Sequence, residues 1–132
     1  PEENLHLVPD TMPDDVAVFT EPTAAAFRIP EQVEIDPNDR IIVLGDGKLG
    51  LLVAQVLWLQ AKNLVCVGKH RWKLDLLAPL SIETVLADDF LEPGAEIVVD
   101  ATGSAAGINR ALRLVRPEGV LVLKTTVAGN SP

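Results

Sequence analysis

The feature that most constrains this chain is a glycine-rich turn between a short apolar run and a long one. Residues 41–44 read I-I-V-L, residues 45–50 read G-D-G-K-L-G, and an apolar helical pattern continues to about Gln60. In this setting Gly45 makes the tight turn, Gly47 lets backbone approach a pyrophosphate, and Gly50 lets the helix pack close to the sheet. We interpret the turn as a dinucleotide site, with helix N–H groups and the helix dipole facing the phosphates. The alternative is a glycine turn that binds nothing.

Beyond Arg40 the pattern alternates between strands and helices. It predicts strands at 41–44, 64–67, 83–86, 96–100 and 120–124, and helices at 48–60, 72–77 and 104–116. Such alternation is typical of right-handed βαβ crossovers. We therefore predict an α/β fold: a Rossmann-type doubly wound parallel sheet of order 3-2-1-4-5, with its ligand crevice between the first and fourth strands. No sixth strand is predicted, so the fifth is expected to be a sheet edge.

Residues 1–37 differ in character from the rest of the chain. A hydroxyl, a proline and acids at residues 11–15 predict a helix start, and the helix is expected to run over 16–27 with a kink or break at Pro22. We therefore divide the chain into a lead-in, 1–37, and a dinucleotide-binding domain, 38–132. The helix over 51–59 is apolar on nearly every side, which indicates either a core helix or a face covered by another domain.

Size and charge exclude several classes of function. The length of 132 residues is typical of a single domain. The net charge of −8 argues against nucleic acid or an anionic membrane as a partner. Cys66 is the single cysteine, so an internal disulfide and a cysteine-rich zinc site are excluded, and a core position is expected. The apolar stretch 49–59 is too short to span a bilayer, and the cytoplasm is the default location.

The end of the second strand bears on the choice of cofactor. A site for NAD places an acid there to hold the ribose 2′-OH, but this chain has Gly68, followed by Lys69, His70 and Arg71. Glycine leaves room for a 2′-phosphate and cations attract it, so we favour NADP(H) over NAD(H). The alternative is a solvated basic loop. Within the glycine turn, Lys48 could neutralise pyrophosphate charge, and the Asp46 side chain is expected to point away from the phosphates.

From Pro9 onward the chain resembles the medium-chain dehydrogenase/reductase superfamily, the zinc-type alcohol dehydrogenases. The residues that carry the resemblance are the lead-in motifs at 7–10, 15–17 and 21–25, the glycine turn with its strand, Asp100-Ala-Thr-Gly-Ser104, and the segment 111–119. The resemblance implies hydride transfer between an alcohol and a nicotinamide cofactor, with zinc polarising the substrate. It also implies an N-terminal GroES-like catalytic domain that holds the zinc ligands. The 132 residues alone would then bind cofactor and not catalyse.

These considerations assign no catalytic residue to the 132 residues. The resemblance makes Glu21 a candidate for a metal-proximal residue, with ordinary helix surface charge as the alternative. It also implies backbone contacts to the nicotinamide carboxamide from the loop after the fifth strand. The candidate cofactor-binding residues are Gly45, Gly47, Lys48, Leu49, Gly50, Gly68, Lys69, His70, Arg71, Ala101, Thr102, Gly103, Lys124 and Thr125.

Two other functions compete with the dehydrogenase domain. One is a stand-alone dinucleotide-sensing regulatory domain, and the other is a methyltransferase that uses S-adenosylmethionine. Both normally keep an acid after the second strand, which is absent here. The expected partners are the nicotinamide dinucleotide, the chain's own catalytic domain and possible copies of itself in a homo-oligomer. The substrate is left open.

Overall fold

The structure, a computed structural model, describes residues 20–124 of the chain. The helices are α1, Thr20–Gln32; α2, Lys48–Trp58; α3, Arg71–Leu74; and α4, Ala105–Leu114, with a 3₁₀ helix at Asp75–Leu80 after α3. The strands are β1, Ile41–Leu44; β2, Leu64–Gly68; β3, Glu83–Leu86; β4, Ala95–Asp100; and β5, Val115–Leu123.

The strands form one five-stranded parallel sheet of order β3-β2-β1-β4-β5. β1 is central: Leu44 is aligned with Val67 of β2 and with Asp100 of β4. The predicted α/β class and strand order are confirmed. The order reverses at β1, so the connections that follow β1 and β4 run to opposite faces of the sheet and leave a crevice between them.

Apolar side chains on alternate strand positions cover the two faces of the sheet. Ile41, Val43 and Cys66 point to the face covered by α1 and α2, and Ile42, Leu44 and Val67 point to the face covered by α4. β1 is buried along its whole length, as expected for a central parallel strand.

Helix α1 covers the outer side of α2. Its Ala26 and Ile29 are fully buried in the same cluster as Val53 and Leu57 of α2. The apolar character of α2 therefore follows from its position between the sheet and α1. The division of the chain at residue 37 stays a prediction.

Prolines break the helices less than the sequence suggests. We expected Pro22 to kink the first helix and Pro30 to lie beyond its end, but α1 runs through both to Gln32. A helix was expected over 72–77. Instead α3 ends at Leu74 and Pro79 lies inside the 3₁₀ helix. The burial of Ile29 against α2, and of Leu77 in the same apolar cluster, outweighs the hydrogen bonds that Pro30 and Pro79 cannot donate. Pro22 lies in the first turn of α1, where a backbone N–H would have no partner within the helix.

The junction of α4 and β5 also differs from the prediction. We expected a helix to Arg116 and a strand from Val120, but α4 ends at Leu114 and β5 begins at Val115. Val115 pairs with Ala95, and the ladder then shifts register before Ile97 pairs with Val120. The extra residues form a bulge in which Glu118 takes a φ of 65°.

None of the helices within residues 20–124 has the length and apolar character needed to cross a bilayer.

Candidate functional site

A cavity of about 350 Å³ opens at the carboxyl ends of the central strands. It lies where the glycine turn, the end of β2 and the start of α4 meet. Its lining residues are Leu44, Gly45, Asp46, Gly47, Val67, Gly68, Lys69, Ala87, Ala101, Thr102, Ser104, Ala106, Gly107 and Arg110. The crevice expected beside the first and fourth strands is therefore present.

The first glycine of the turn is required by backbone geometry. Gly45 has a φ of 121°, which residues with a Cβ rarely adopt, and a Cβ there would lie 2.7 Å from the Ala101 carbonyl oxygen. Because Ala101 also donates its N–H to the Leu44 carbonyl at 2.8 Å, the ends of β1 and β4 are held together. The tight turn predicted at Gly45 is confirmed.

Gly47 and Gly50 differ in the space around them. A Cβ on Gly47 would meet nothing within 4 Å, whereas one on Gly50 would lie 2.8 Å from the Gly45 carbonyl carbon. Gly50 therefore allows α2 to start close against the turn at Gly45, whereas the sequence predicted that it brings the helix close to the sheet. Gly47 faces open space, which leaves its backbone accessible to a ligand.

The start of α2 presents backbone donors towards this open space. Gly47 is the N-cap residue of α2 and, as a glycine, it makes no side-chain cap hydrogen bond. The first-turn N–H groups and the positive end of the helix dipole can then receive phosphate oxygens. Lys48 is exposed beside them, and the Leu49 side chain packs on the hydrophobic core, so Leu49 would offer its backbone alone.

The Asp46 side chain lies across the end of β2. Its Oδ2 accepts a hydrogen bond from the His70 backbone N–H at 2.7 Å and lies 3.2 Å from His70 Nδ1. Burial raises the pKa of the Asp46 carboxyl, but the hydrogen bonds and charge of His70, with the backbone of Lys69, outweigh it and leave the pKa below its ordinary value. A negative charge is therefore held at the place where sequence analysis found no acid.

The three basic residues after β2 have different surroundings. Lys69 lines the cavity. His70 is paired with Asp46, and Arg71 donates to the Thr84 hydroxyl at 2.9 Å and lies 3.6 Å from Asp75. Of the three, the geometry places Lys69 where a cofactor phosphate could reach it.

The end of β4 is organised by Asp100. This carboxylate is fully buried, and its Oδ1 accepts from the Thr102 backbone N–H at 3.0 Å and from the Thr102 hydroxyl at 2.7 Å. Asp100 Oδ2 has no hydrogen-bond partner among the described residues. Ser104 caps α4 by accepting from the Gly107 N–H at 3.0 Å. Ala101 and Thr102, both predicted as cofactor-binding residues, therefore line the cavity from a turn that these hydrogen bonds hold in place. Gly103 belongs to the same turn, where it has a φ of 72°.

Arg110 is a cavity residue that sequence analysis missed. It donates to the backbone carbonyls of Ala87, at 2.5 Å, and Asp89, at 3.4 Å. It thereby fastens the loop after β3 to α4 and places a second cation at the cavity wall. Its position on the surface of an amphipathic helix carries no sequence signal, because its partners are backbone atoms of a loop about twenty residues away.

Three other candidates lie at the edge of the described structure or outside it. Lys124 donates its backbone N–H to the Asp100 carbonyl at 2.9 Å, which places the end of β5 beside the site. Thr125 lies outside the described residues. Glu21 is exposed in the first turn of α1. Across residues 20–124 no three His, Cys, Asp or Glu side chains come together as a metal site.

Comparisons with known proteins agree with this geometry. No family model matches the chain. It is 27% identical to the probable D-xylulose reductase A of Aspergillus clavatus, covering 92% of this chain and 38% of that protein. It is 28% identical to the uncharacterized zinc-type alcohol dehydrogenase-like protein YdjJ of Escherichia coli K12, covering 99% of this chain and 41% of that protein. The chain thus spans about two fifths of the length of these relatives.

Solved structures show the same fold. A proposed zinc-binding dehydrogenase from Sinorhizobium meliloti 1021, bound to NADP, superposes with a TM-score of 0.82 at 21% identity, over 100% of this chain and 43% of that one. A short chain alcohol dehydrogenase from Escherichia coli CFT073, complexed with NADH, superposes with a TM-score of 0.75 at 22% identity, over 93% of this chain and 40% of that one. The solved structures confirm the predicted fold, and the predicted resemblance to zinc-type alcohol dehydrogenases is confirmed by the sequence relatives.

Proposed function

We propose that this chain is the nicotinamide-dinucleotide-binding domain of a zinc-type alcohol dehydrogenase-like oxidoreductase. The observation that carries the proposal is the turn at Gly45–Gly50, which leads from a buried strand into a helix whose N-cap residue is a glycine, beside a cavity. An anionic diphosphate suits such a place, because backbone N–H groups and the helix dipole are directed at it. In the full-length enzyme the bound nicotinamide would exchange a hydride with an alcohol or a carbonyl compound.

The residues present suit such a cofactor at several points. The open space at Gly47 admits the diphosphate to the backbone, and the turn at Ala101–Thr102 forms the opposite wall. Lys124, whose backbone is tied to Asp100, would begin the loop towards the nicotinamide, with Thr125 following. These residues bind and orient the cofactor; none of them is proposed to move a proton or to attack a substrate.

We propose a preference for NADP(H), with Lys69 as the principal contact of the 2′-phosphate. Lys69 lines the cavity and β2 carries no acid at its own end. A lysine ammonium is strongly attracted to a phosphate dianion. His70 and Arg71 would contribute less, since their side chains are engaged by Asp46, Thr84 and Asp75.

The proposal also includes parts outside the described structure. We propose that residues 1–37 lead from a separate catalytic domain, that this domain holds the zinc, and that the enzyme acts in the cytoplasm. Within residues 20–124 no three His, Cys, Asp or Glu side chains come together, so the zinc ligands would come from that other domain. The exposed Glu21 is proposed to face the metal of that other domain.

Titration of the chain with NADPH, NADH and S-adenosylmethionine, followed by thermal shift and by nicotinamide fluorescence, tests the proposal. We expect saturable binding of both nicotinamide cofactors, tighter for NADPH, and no binding of S-adenosylmethionine. Tight binding of S-adenosylmethionine alone, or saturation by none of the three, would overturn the proposed function.

A further inference from the structure

The side chain of Asp46 joins the glycine turn to the loop after β2. Asp46 reaches from the turn to His70, where its Oδ2 accepts from the backbone N–H at 2.7 Å and lies 3.2 Å from Nδ1. The Asp46 side chain is 11% exposed and that of His70 is 49% exposed. The connection is therefore buried at its acidic end and open at its basic end.

Gly68 is the residue over which Asp46 lies. A Cβ on Gly68 would come 2.6 Å from Asp46 Oδ2 and 2.7 Å from its Cγ, so any larger residue must displace the carboxylate. The sequence had suggested that glycine at 68 makes room for a phosphate. In the structure, the room beside Gly68 is filled by Asp46.

We propose that Asp46 is a positioning residue for cofactor selection, which fixes the backbone of residues 68–70 so that Lys69 faces the adenosine end of the cavity. This inference rests on the proposed function. Its basis is that Asp46 Oδ2 accepts from the residue directly after Lys69, while Lys69 itself lines the cavity. A flexible lysine gains phosphate affinity when its backbone is already ordered, since less entropy is lost on binding.

The charge of Asp46 does not rule out a phosphate nearby. Its oxygen Oδ2 is directed at two His70 nitrogens, and Lys69 stands next to them. Arg71, the remaining cation of this loop, is paired with Asp75. Asp46 therefore acts here as an acceptor that shapes the loop, and not as the hydroxyl-binding acid of an NAD site.

The test is the ratio of NADPH to NADH affinity, measured in the chain by isothermal titration. Asp46→Ala removes the acceptor, and we expect the preference for NADPH to fall about tenfold with NADH affinity nearly unchanged. Asp46→Asn keeps an acceptor oxygen for the His70 N–H and should retain most of the preference. Gly68→Ala keeps the carboxylate but pushes it aside, and should reproduce the loss seen in Asp46→Ala.

The outcomes are distinguishable from one another. Glu31→Ala, which removes one exposed carboxylate on α1, should leave the ratio unchanged. A higher NADPH preference in Asp46→Ala and Asp46→Asn would show a repelling charge, and an equal loss of both cofactors would show a merely structural role; either overturns the inference. An Asp46→Asn protein that loses the preference for NADPH also overturns the inference.

If Asp46→Ala does not fold, Asp46→Asn and Gly68→Ala still decide the question. Failure of the unaltered chain to bind either cofactor would instead reject the proposed function.

Discussion

The backbone of Gly50 packs directly on the backbone of Gly45. A Cβ on Gly50 would lie 2.8 Å from the Gly45 carbonyl carbon and closer still to its oxygen. Gly47, between them in the sequence, faces open space. Glycines of one motif therefore serve two purposes. Gly45 and Gly50 allow the turn and the start of α2 to pack closely, and Gly47 keeps the cavity accessible.

Substitution within the turn should separate these two purposes. Gly47→Val should abolish cofactor binding with little change in melting temperature, because its side chain would enter only the space proposed for the diphosphate. Gly50→Ala should lower the free energy of unfolding by about 2 kcal/mol or more, since overpacking against backbone cannot be relieved by a rotamer change. Thermal melts and NADPH titrations check both. Unchanged NADPH affinity in Gly47→Val would show that the phosphates bind elsewhere.

Reversal of charge at Lys69 should distinguish the two nicotinamide cofactors. Lys69→Glu should weaken NADPH by about tenfold or more and NADH much less, because only NADPH carries the 2′-phosphate. Lys73→Glu is the matched control: it makes the same charge change on α3, outside the cavity lining. Equal weakening of both cofactors by Lys69→Glu would remove the argument for a phosphate contact.

The thiol of Cys66 should be unreactive in the folded chain. Burial, with a smaller contribution from the Asp46 charge, raises its pKa from 9.0 to about 12. A raised pKa favours the neutral thiol in the folded state, so this contribution to stability is present below pH 9 and is lost as the pH rises towards 12. Ellman's reagent at pH 8 should label Cys66 slowly, and rapidly after addition of urea. Fast labelling of the folded chain would contradict the buried position.

The contribution of Asp46 to the free energy of unfolding should depend on pH. Its pKa in the folded chain is below the ordinary 3.8, so its ionised form stabilises the fold above that pH, and the stabilisation is lost as the pH falls through the lowered value. The difference in unfolding free energy between the unaltered chain and Asp46→Asn should therefore shrink between pH 6 and pH 3. Urea denaturation at several pH values measures it. A difference that does not vary with pH would mean that the charge has no such role.

The central strand β1 could be predicted from the sequence because it is a short apolar run bounded by breakers, and it was predicted at its observed bounds. The edge strand β3 was also predicted at its observed bounds, although only half of its residues are apolar. Element ends were less accurate where tertiary contacts decide them. Val115 is part of β5 and not of α4 because it pairs with Ala95 of β4. Helix α1 continues past Pro30 because Ile29 is buried against α2.

The candidate site was predictable as far as it depends on local sequence. The glycine turn and the turn after β4 lie where the motifs indicated. The contacts of Asp46 with His70 and of Arg110 with the loop after β3 join residues more than twenty positions apart. No local pattern encodes such pairs, which is why the acid at the end of β2 was taken to be missing.

A crystal structure of the chain with NADPH tests the central claim most directly. We expect the diphosphate to lie within hydrogen-bond distance of the backbone N–H groups at the start of α2, beside Gly47, with the adenosine 2′-phosphate near Lys69. A cofactor bound elsewhere on the molecule, with the start of α2 facing only solvent, would contradict the account.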